Sequence, residues 1–162
     1  MDGRGIILTI LILDTNIIEF LNNPFPTDSR TIKASEIFQS ICDGKYEGIL
    51  IPPVLLEIYY RLSQSDNETY ANAFIKSILS MPHITAIGIT KDIGMFAGKL
   101  YYKYNIVAKQ ANSSLGHKDV PGGIDCLIAA TQNFINNSIV CTHDRHISNM
   151  TEVQSDFLGI PT

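Results

Sequence analysis

Four acidic residues stand where an α/β protein with a parallel sheet would place ligand-binding groups. Each follows a predicted strand or begins a predicted helix, and these positions share one edge of a parallel sheet. Four carboxylates are therefore predicted to converge on one rim. They are Asp14, Glu57, Asp125 and Asp144.

Two of the acids come after hydrophobic runs. Asp14 directly follows residues 6–13, the most aliphatic run in the chain, and Asp144 follows residues 139–141 within three positions. Such near-continuous runs are typical of strands that are covered on both faces. Glu57 lies near the start of the helix after residues 49–51, and Asp125 lies in the first turn of another predicted helix.

Carboxylates packed together repel one another or take up protons unless cations neutralise them. Oxygen ligands without a cysteine or histidine cluster suit Mg²⁺ or Mn²⁺. One such ion could activate water and a second could stabilise the leaving oxygen of a phosphodiester. The pattern therefore predicts a metal site that supports phosphodiester hydrolysis.

Each acid also has an ordinary structural explanation. Glu57 could pair with Arg61 one helical turn away, Asp125 could complement a helix dipole, and Asp14 and Asp144 could be helix caps. Four such coincidences on one edge are less probable than one site, so the metal site is the preferred interpretation.

The elements that must position these acids alternate along the chain. Apolar periodicity predicts strands at residues 6–13, 48–51, 84–89, 138–141 and 153–158. It predicts helices from a cap at Asp14 or Thr15, at 29–42, 54–62, 68–81, 90–104 and 124–136, and a loop or short helix at 142–150. Residues 105–123 form the longest predicted loop. This alternation indicates a doubly wound, parallel α/β sheet.

Composition sets the class of protein. The 162 residues, 45% apolar and 17% charged, suit one packed core, and we predict a single domain over residues 1–162. No apolar run is long enough to cross a membrane. The three cysteines lack a C-x-x-C pair and fit buried thiols in a reducing cytoplasm.

The charge is unevenly distributed. A net charge of −4 argues weakly against a general nucleic-acid binder, but residues 91–118 contain five lysines and one acid. This segment is either a basic rim beside an acidic centre or a solvated helix face. The candidates for RNA contact are Lys99, Lys103, Lys109, Lys118, Arg145 and His146.

Four segments together resemble a known family. They are ILDTN at residues 12–16, the in-helix Glu57, GIDCLIAA at 123–130 and VCTHDRHI at 140–147. In this order, and over nearly the whole chain, they are similar to the PIN domain of VapC-type toxins. The Asp-x-Leu-Ile-Ala-Ala and Thr-x-Asp pieces are the most specific.

The resemblance implies a three-layer α/β/α fold with a central parallel sheet of about five strands. It implies a Mg²⁺- or Mn²⁺-dependent endoribonuclease that cleaves RNA, with the four acids as metal ligands and catalytic residues. Asn16 and Thr142 correspond to supporting residues that orient the acids. The resemblance also implies an antitoxin protein as partner and a homodimer. The role that it implies is that of a toxin or of an RNA-processing nuclease.

Two departures from the family pattern stand out. Many relatives carry an acid where this chain has Gly123, and Asp119 is a candidate substitute. The chain is also longer than compact toxins, with the extra length predicted in residues 63–81 or 105–123.

Other interpretations remain open. His143 and His146 form an H-x-x-H pair, but no nearby histidine or cysteine completes a zinc site. A haloacid-dehalogenase-type phosphatase would use Asp14 as its nucleophile, yet Asn16 stands where a second aspartate is needed. A receiver-like switch domain lacks its late lysine. A PIN domain that binds RNA or protein without cleavage is the remaining alternative.

Overall fold

The sheet confirms the predicted parallel α/β class. The computed structural model of the chain describes residues 8–65 and 67–156. The strands are β1 Thr9–Leu13, β2 Tyr46–Leu50, β3 Ile84–Ala86, β4 Ser138–Cys141 and β5 Ser155–Asp156. All pair in parallel, in the order β3-β2-β1-β4-β5. Four are full strands, and β5 is a two-residue pairing at the edge.

Helices flank this sheet. They are α1 Thr15–Leu21, α2 Ser29–Cys42, α3 Pro52–Ser65, α4 Glu68–Leu79, α5 Lys91–Tyr101, α6 Ala108–Ala111, α7 Gly123–Gln132 and α8 Arg145–Ser148. A π-helix, Tyr102–Val107, joins α5 to α6, and a 3₁₀ turn, His117–Asp119, precedes α7.

The core is built on both faces of the central strand. Leu11, Ile12 and Leu13 of β1 are completely buried. Successive side chains of a strand point to opposite faces, so both faces must be covered. A large apolar cluster joins β1 to α2 and α3, and a smaller one packs α5 against α7. The aliphatic run before Asp14 is thus the buried centre of the sheet.

Several predicted boundaries agree with the structure and others do not. Helix α2 and strand β4 have the predicted bounds, whereas β3 is shorter than predicted, ending at Ala86. Residues 6, 7, 157 and 158 of the predicted first and last strands lie outside the described residues. The predicted loop at 105–123 is wrong for residues 105–111, which continue the helix after α5.

Asn105, within this continued helix, is buried and has a partner in a distant segment. Its side chain is 3% exposed, and its Nδ2 donates a 2.8 Å hydrogen bond to the carbonyl of Pro121. The amide nitrogen of this polar residue thus has a partner inside the protein, whereas its Oδ1 is buried without one among the described residues. The contact ties the π-helix to the segment that leads into α7.

Two further expectations can be compared with the structure. Within the described ranges, no helix has the length and apolarity needed to cross a bilayer. All three cysteines are free thiols. Cys126 and Cys141 are buried and Cys42 is partly buried.

Candidate active site

The four predicted acids lie together at one place on the sheet. Strand order reverses between β1 and β4, because β2 and β3 lie on one side and β5 on the other. Ligands of open α/β sheets bind at the carboxyl ends of strands at such a point. A small cavity there, of about 160 Å³, is lined by Asp14, Thr15, Asn16, Glu57, Arg61, Asp125 and Asp144. We call it the acidic pocket.

Asp14 lies at the base of this pocket and is only 5% exposed. As the N-cap of α1, it accepts a 2.6 Å hydrogen bond at Oδ1 from the backbone N–H of Thr15. Its Oδ2 accepts two further 2.6 Å bonds, from Asn16 Nδ2 and Thr142 Oγ1. The carboxylate is therefore held in one orientation by three donors.

Asn16 and Thr142 connect the ends of β1 and β4. Asn16 Oδ1 accepts a 3.1 Å bond from the backbone N–H of His143, while its amide nitrogen faces Asp14. Thr142 Oγ1 donates to Asp14 and accepts a 2.8 Å bond from the backbone N–H of Asp144. Both predicted supporting residues thus lie beside the acids, and Thr142 links two of them.

Burial raises the pKa of Asp14 to about 7. Loss of hydration is the largest cause, and the nearby charges of Asp125 and Asp144 raise the pKa further. The hydrogen bonds from Thr142 and Thr15 act in the opposite direction. The three donors therefore do not fully compensate the cost of burying this carboxylate.

Asp125 and Asp144 are partly exposed acids of the pocket, and His146 lies beside them although it is not one of the lining residues. Ligand atoms of these three side chains all lie within 4.8 Å of one another. Burial raises the pKa of Asp125, and the neighbouring Asp144 adds to the shift. Sequence reasoning considered His146 as half of an incomplete zinc pair and as an RNA contact, but not as a member of a group with Asp125 and Asp144.

Glu57 already has two partners in the pocket. Its Oε2 accepts a 2.8 Å hydrogen bond from Thr15 Oγ1, and its Oε1 pairs with Arg61. Arg61 also binds Glu19 of α1, with contacts of 2.6 and 2.7 Å. Sequence reasoning treated Arg61 only as a rival explanation for Glu57, whereas the structure places its guanidinium in the pocket wall.

The ordinary structural explanations also hold. Asp144 caps α8 by accepting a 2.7 Å bond from the backbone N–H of His146, and Asp125 accepts one of the same length from Gly122. Such caps contribute about 1 kcal/mol each. Asp125 and Asp144 therefore cap helices and also line the acidic pocket.

The basic candidates separate into two groups. Lys118, Arg145 and His146 line a cavity that adjoins the acidic pocket. Lys99 lines a different cavity beside Asp92, and Lys103 pairs with Glu152 at 2.5 Å. Lys109 contacts the ring of His117 at 3.4 Å. The lysine-rich segment is therefore not one continuous basic rim.

Two remaining candidates are also placed. The carboxylate of Asp119 accepts a 2.7 Å bond from Gly116 and is not among the residues that line the acidic pocket. His143 packs edge-on against Phe20, with ring centroids 5.8 Å apart, so it does not join His146 in the close acidic group.

Solved structures share this fold, although the comparisons by sequence found no match. No protein-family model and no curated protein matches the chain. VapBC2 from Rickettsia felis, bound to a DNA fragment from their promoter, aligns over 91% of this chain and 98% of its own, with a TM-score of 0.65 and 17% identity. The chain has a PIN-domain fold of the VapC type.

Two further structures share this PIN-type fold. VapC20 from Mycobacterium tuberculosis, a sarcin-ricin loop cleaving toxin, is 17% identical over 88% of this chain and 98% of its own, with a TM-score of 0.56. A toxin–antitoxin complex from Klebsiella pneumoniae is 14% identical over 90% and 96%, with a TM-score of 0.58. At sequence identities of 14–17%, the similarity to these structures shows the fold alone.

The chemistry of the acidic pocket fits a divalent cation. Two carboxylates and one imidazole, those of Asp125, Asp144 and His146, supply ligand atoms on one side, and the buried Asp14 carries a charge that its donors only partly compensate. Carboxylate oxygens are the ligands that Mg²⁺ and Mn²⁺ prefer. Of the four acids of the pocket, only Glu57 forms an ion pair with Arg61 among the described residues.

Proposed function

We propose that this protein is a Mg²⁺- or Mn²⁺-dependent endoribonuclease that cleaves RNA phosphodiester bonds. The observation that supports this proposal is the convergence of Asp14, Glu57, Asp125 and Asp144 in one pocket at the switch point of a PIN-type fold. The four acids come from four separate segments of the chain, so local structure alone does not account for their meeting.

The chain's own residues hold the acids in place. Thr142 and Asn16 fix the orientation of Asp14, and Thr142 ties that carboxylate to the backbone of Asp144. When bound, the metal would neutralise charge on the phosphodiester and make water more acidic. Asp125 and Asp144, with His146 beside them, would hold the cation in the acidic pocket.

Glu57 is proposed as a fourth acidic residue of the site. Its carboxylate is oriented by Thr15 and Arg61, and both partners line the same pocket. In this arrangement Glu57 contributes negative charge to the wall, and its bond with Arg61 limits how much of that charge a cation would experience.

The test is RNA cleavage with Mn²⁺ by the wild type, Asp14→Asn and Asp125→Asn. We expect cleavage by the wild type, its abolition by EDTA and a loss of at least about 100-fold in each variant, the scale on which metal sites respond to altered ligation. Asn136→Ala, an exposed residue at the opposite edge of the sheet, is the matched control. Equal activity in all four proteins would refute the proposal.

The proposal extends to a toxin role with an antitoxin partner and self-association as a homodimer. One structural neighbour is a toxin–antitoxin complex, and another is a toxin that cleaves the sarcin-ricin loop. Expression in a host cell tests the toxin role: growth arrest by the wild type but not by Asp125→Asn is expected. Light scattering on the purified chain tests the homodimer.

The rival phosphatase interpretation is less consistent with the geometry. Asn16 donates to Asp14 and cannot act as the second acid of that chemistry. A non-catalytic RNA-binding role would leave the Mn²⁺ cleavage assay negative while RNA binding persists.

A further inference from the structure

A second cavity opens beside the acidic pocket and contains two cationic side chains besides one of the acids. It measures about 370 Å³ and is lined by Asn16, Lys118, His143, Asp144, Arg145 and His146. Asn16 and Asp144 also line the acidic pocket, so the two cavities share a wall. A ligand that extends beyond the acidic pocket in this direction would contact Lys118 and Arg145.

These two cations are not neutralised by neighbouring side chains. In the described ranges, 8–65 and 67–156, neither Lys118 nor Arg145 forms an ion pair, whereas Arg61 and Lys103 both do. Their side chains are exposed and therefore remain hydrated. Uncompensated lysine and arginine in a polar cavity favour an anion with several oxygens, and arginine suits phosphate in particular.

Lys118 belongs to a segment that is fixed to the rest of the protein. It lies in the 3₁₀ turn, where Asp119 Oδ2 accepts a 2.7 Å bond from the backbone N–H of Gly116. A few residues later, the carbonyl of Pro121 accepts the bond from buried Asn105. Arg145 is the first residue of α8, directly after Asp144. Both cations thus have defined positions relative to the acids.

We propose that this cavity is a flanking-phosphate subsite, which binds the phosphodiester next to the scissile one in an RNA strand through Lys118 and Arg145. The inference rests on the proposed ribonuclease function. The acidic pocket needs a cation and accommodates the reacting phosphate, while the adjoining cavity holds a neighbouring phosphate without one. The subsite thus sets the direction in which the strand leaves the acidic pocket.

The experiment measures kcat/KM for cleavage of a short single-stranded RNA with Mn²⁺. We expect Lys118→Ala and Arg145→Ala each to lower kcat/KM by about 5- to 30-fold, which corresponds to about 1–2 kcal/mol. Lys76→Ala is the matched control, because Lys76 is an exposed lysine of α4 outside both cavities. Its kcat/KM is expected to stay within twofold of the wild type.

Neutral methylphosphonate linkages identify the phosphate concerned. They are introduced one at a time on each side of the cleavage site, and the wild type is expected to lose rate most strongly at one adjacent linkage. The Lys118→Ala, Arg145→Ala double variant should lose nothing further at that linkage, because the interacting cations are already gone. If each methylphosphonate lowers the rate of the double variant as much as that of the wild type, at every linkage, the subsite proposal is wrong.

The salt dependence of RNA binding provides a second measurement. Each cation that contacts single-stranded RNA contributes about 0.7 to the slope of log K against log salt, so the double variant should lose about 1.4. Cleavage and salt slope equal to those of Lys76→Ala would overturn the subsite while the ribonuclease stands. A wild type that does not cleave RNA with Mn²⁺ would overturn both proposals.

Discussion

The two edges of the sheet differ in chemistry rather than in the presence of a cavity. The carboxyl edge has the acidic pocket of about 160 Å³, whereas the amino edge has a cavity of about 550 Å³. The larger cavity is lined by Thr9, Tyr46, Gln132, Asn133, Ile135, Asn136, Asn137, Ser138, Ile139 and Gln154. None of these described residues carries a carboxylate or a cationic side chain.

This contrast shows that size does not identify the site. Amide and hydroxyl groups on the amino edge satisfy backbone groups of the fold: Gln132 donates to the carbonyl of Ser138, and Ser138 Oγ donates to that of Ile135. On the carboxyl edge, burial and neighbouring acids raise the pKa of Asp14 and of Asp125, so the fold only partly compensates their charged forms. Acidic side chains with a shifted pKa that line one cleft indicate a functional site better than the volume of a cavity does.

The largest effect is expected in the pH dependence of stability. The pKa of Asp14 is about 7 in the folded, metal-free protein, against 3.8 for the ordinary carboxyl group. The folded state therefore holds this proton up to a higher pH than the unfolded chain. The free energy of unfolding should fall as pH rises from about 4 to about 7, by up to about 4 kcal/mol from this residue.

Urea unfolding in EDTA at pH 4.5, 6 and 8 measures this fall. The Asp14→Asn variant should show a flatter profile, because it has no proton to lose. Asn136→Ala, from the amino-edge cavity, should retain the wild-type slope. If Asp14→Asn and wild type have parallel profiles, the burial of Asp14 does not have the effect we assign to it.

The next effect is on metal affinity. Asp144→Asn removes one of the three side chains whose ligand atoms lie within 4.8 Å. We expect it to weaken Mn²⁺ binding by about 100-fold, measured by calorimetry at pH 7.5. Asn137→Ala at the amino edge should bind Mn²⁺ like the wild type, and equal affinity of both variants would remove the distinction between the edges.

A smaller and more selective effect is expected from the two ends of β4. Thr142→Val removes a hydroxyl that serves Asp14 and Asp144, whereas Ser138→Ala removes one that serves only the backbone carbonyls of Gln132 and Ile135. Each should cost about 1–3 kcal/mol of unfolding free energy, since each leaves partners unsatisfied. Only Thr142→Val should also reduce cleavage. A similar loss of cleavage in both would mean that the hydroxyls act through stability alone.

The smallest effect concerns Arg61. Its pairs with Glu57 and Glu19 are partly exposed, so Arg61→Ala should lower stability by less than about 1 kcal/mol. Removing a cation from the pocket wall should tighten Mn²⁺ binding by about two- to fivefold. Arg30→Ala, which breaks an exposed pair with Asp28 on α2, should leave Mn²⁺ affinity unchanged. Weaker binding in Arg61→Ala would mean that Arg61 orders Glu57.

Much of the fold was predictable because it depends on periodic apolar positions. Helix α2 and strand β4 were predicted to the residue, since each is bounded by clear turn or cap signals. The convergence of the acids was also predictable, because the ends of parallel strands share an edge. The pocket shows that this rule brought Asp14, Glu57, Asp125 and Asp144 together.

The errors came from contacts that connect distant segments. The polar Asn105 indicated a loop, but its hydrogen bond to Pro121 places it inside a helix. Lys103 resembled a rim cation, but its partner is Glu152, which lies 49 positions further along the chain. The direction in which an exposed side chain points depends on helix phase and on such partners. Neither is visible in composition.

The π-helix Tyr102–Val107 changes the phase of the helix that contains it. A π-turn holds one residue more than an α-turn, and each residue of an α-helix rotates the following side chains by about 100°. The extra residue therefore turns the amide of Asn105 and everything after it by about a quarter of a circle. Deletion of one residue here would preserve the helix while pointing that amide away from Pro121. A single-residue change in chain length would thus break the hydrogen bond that fixes the segment carrying Lys118, without changing any residue of the acidic pocket.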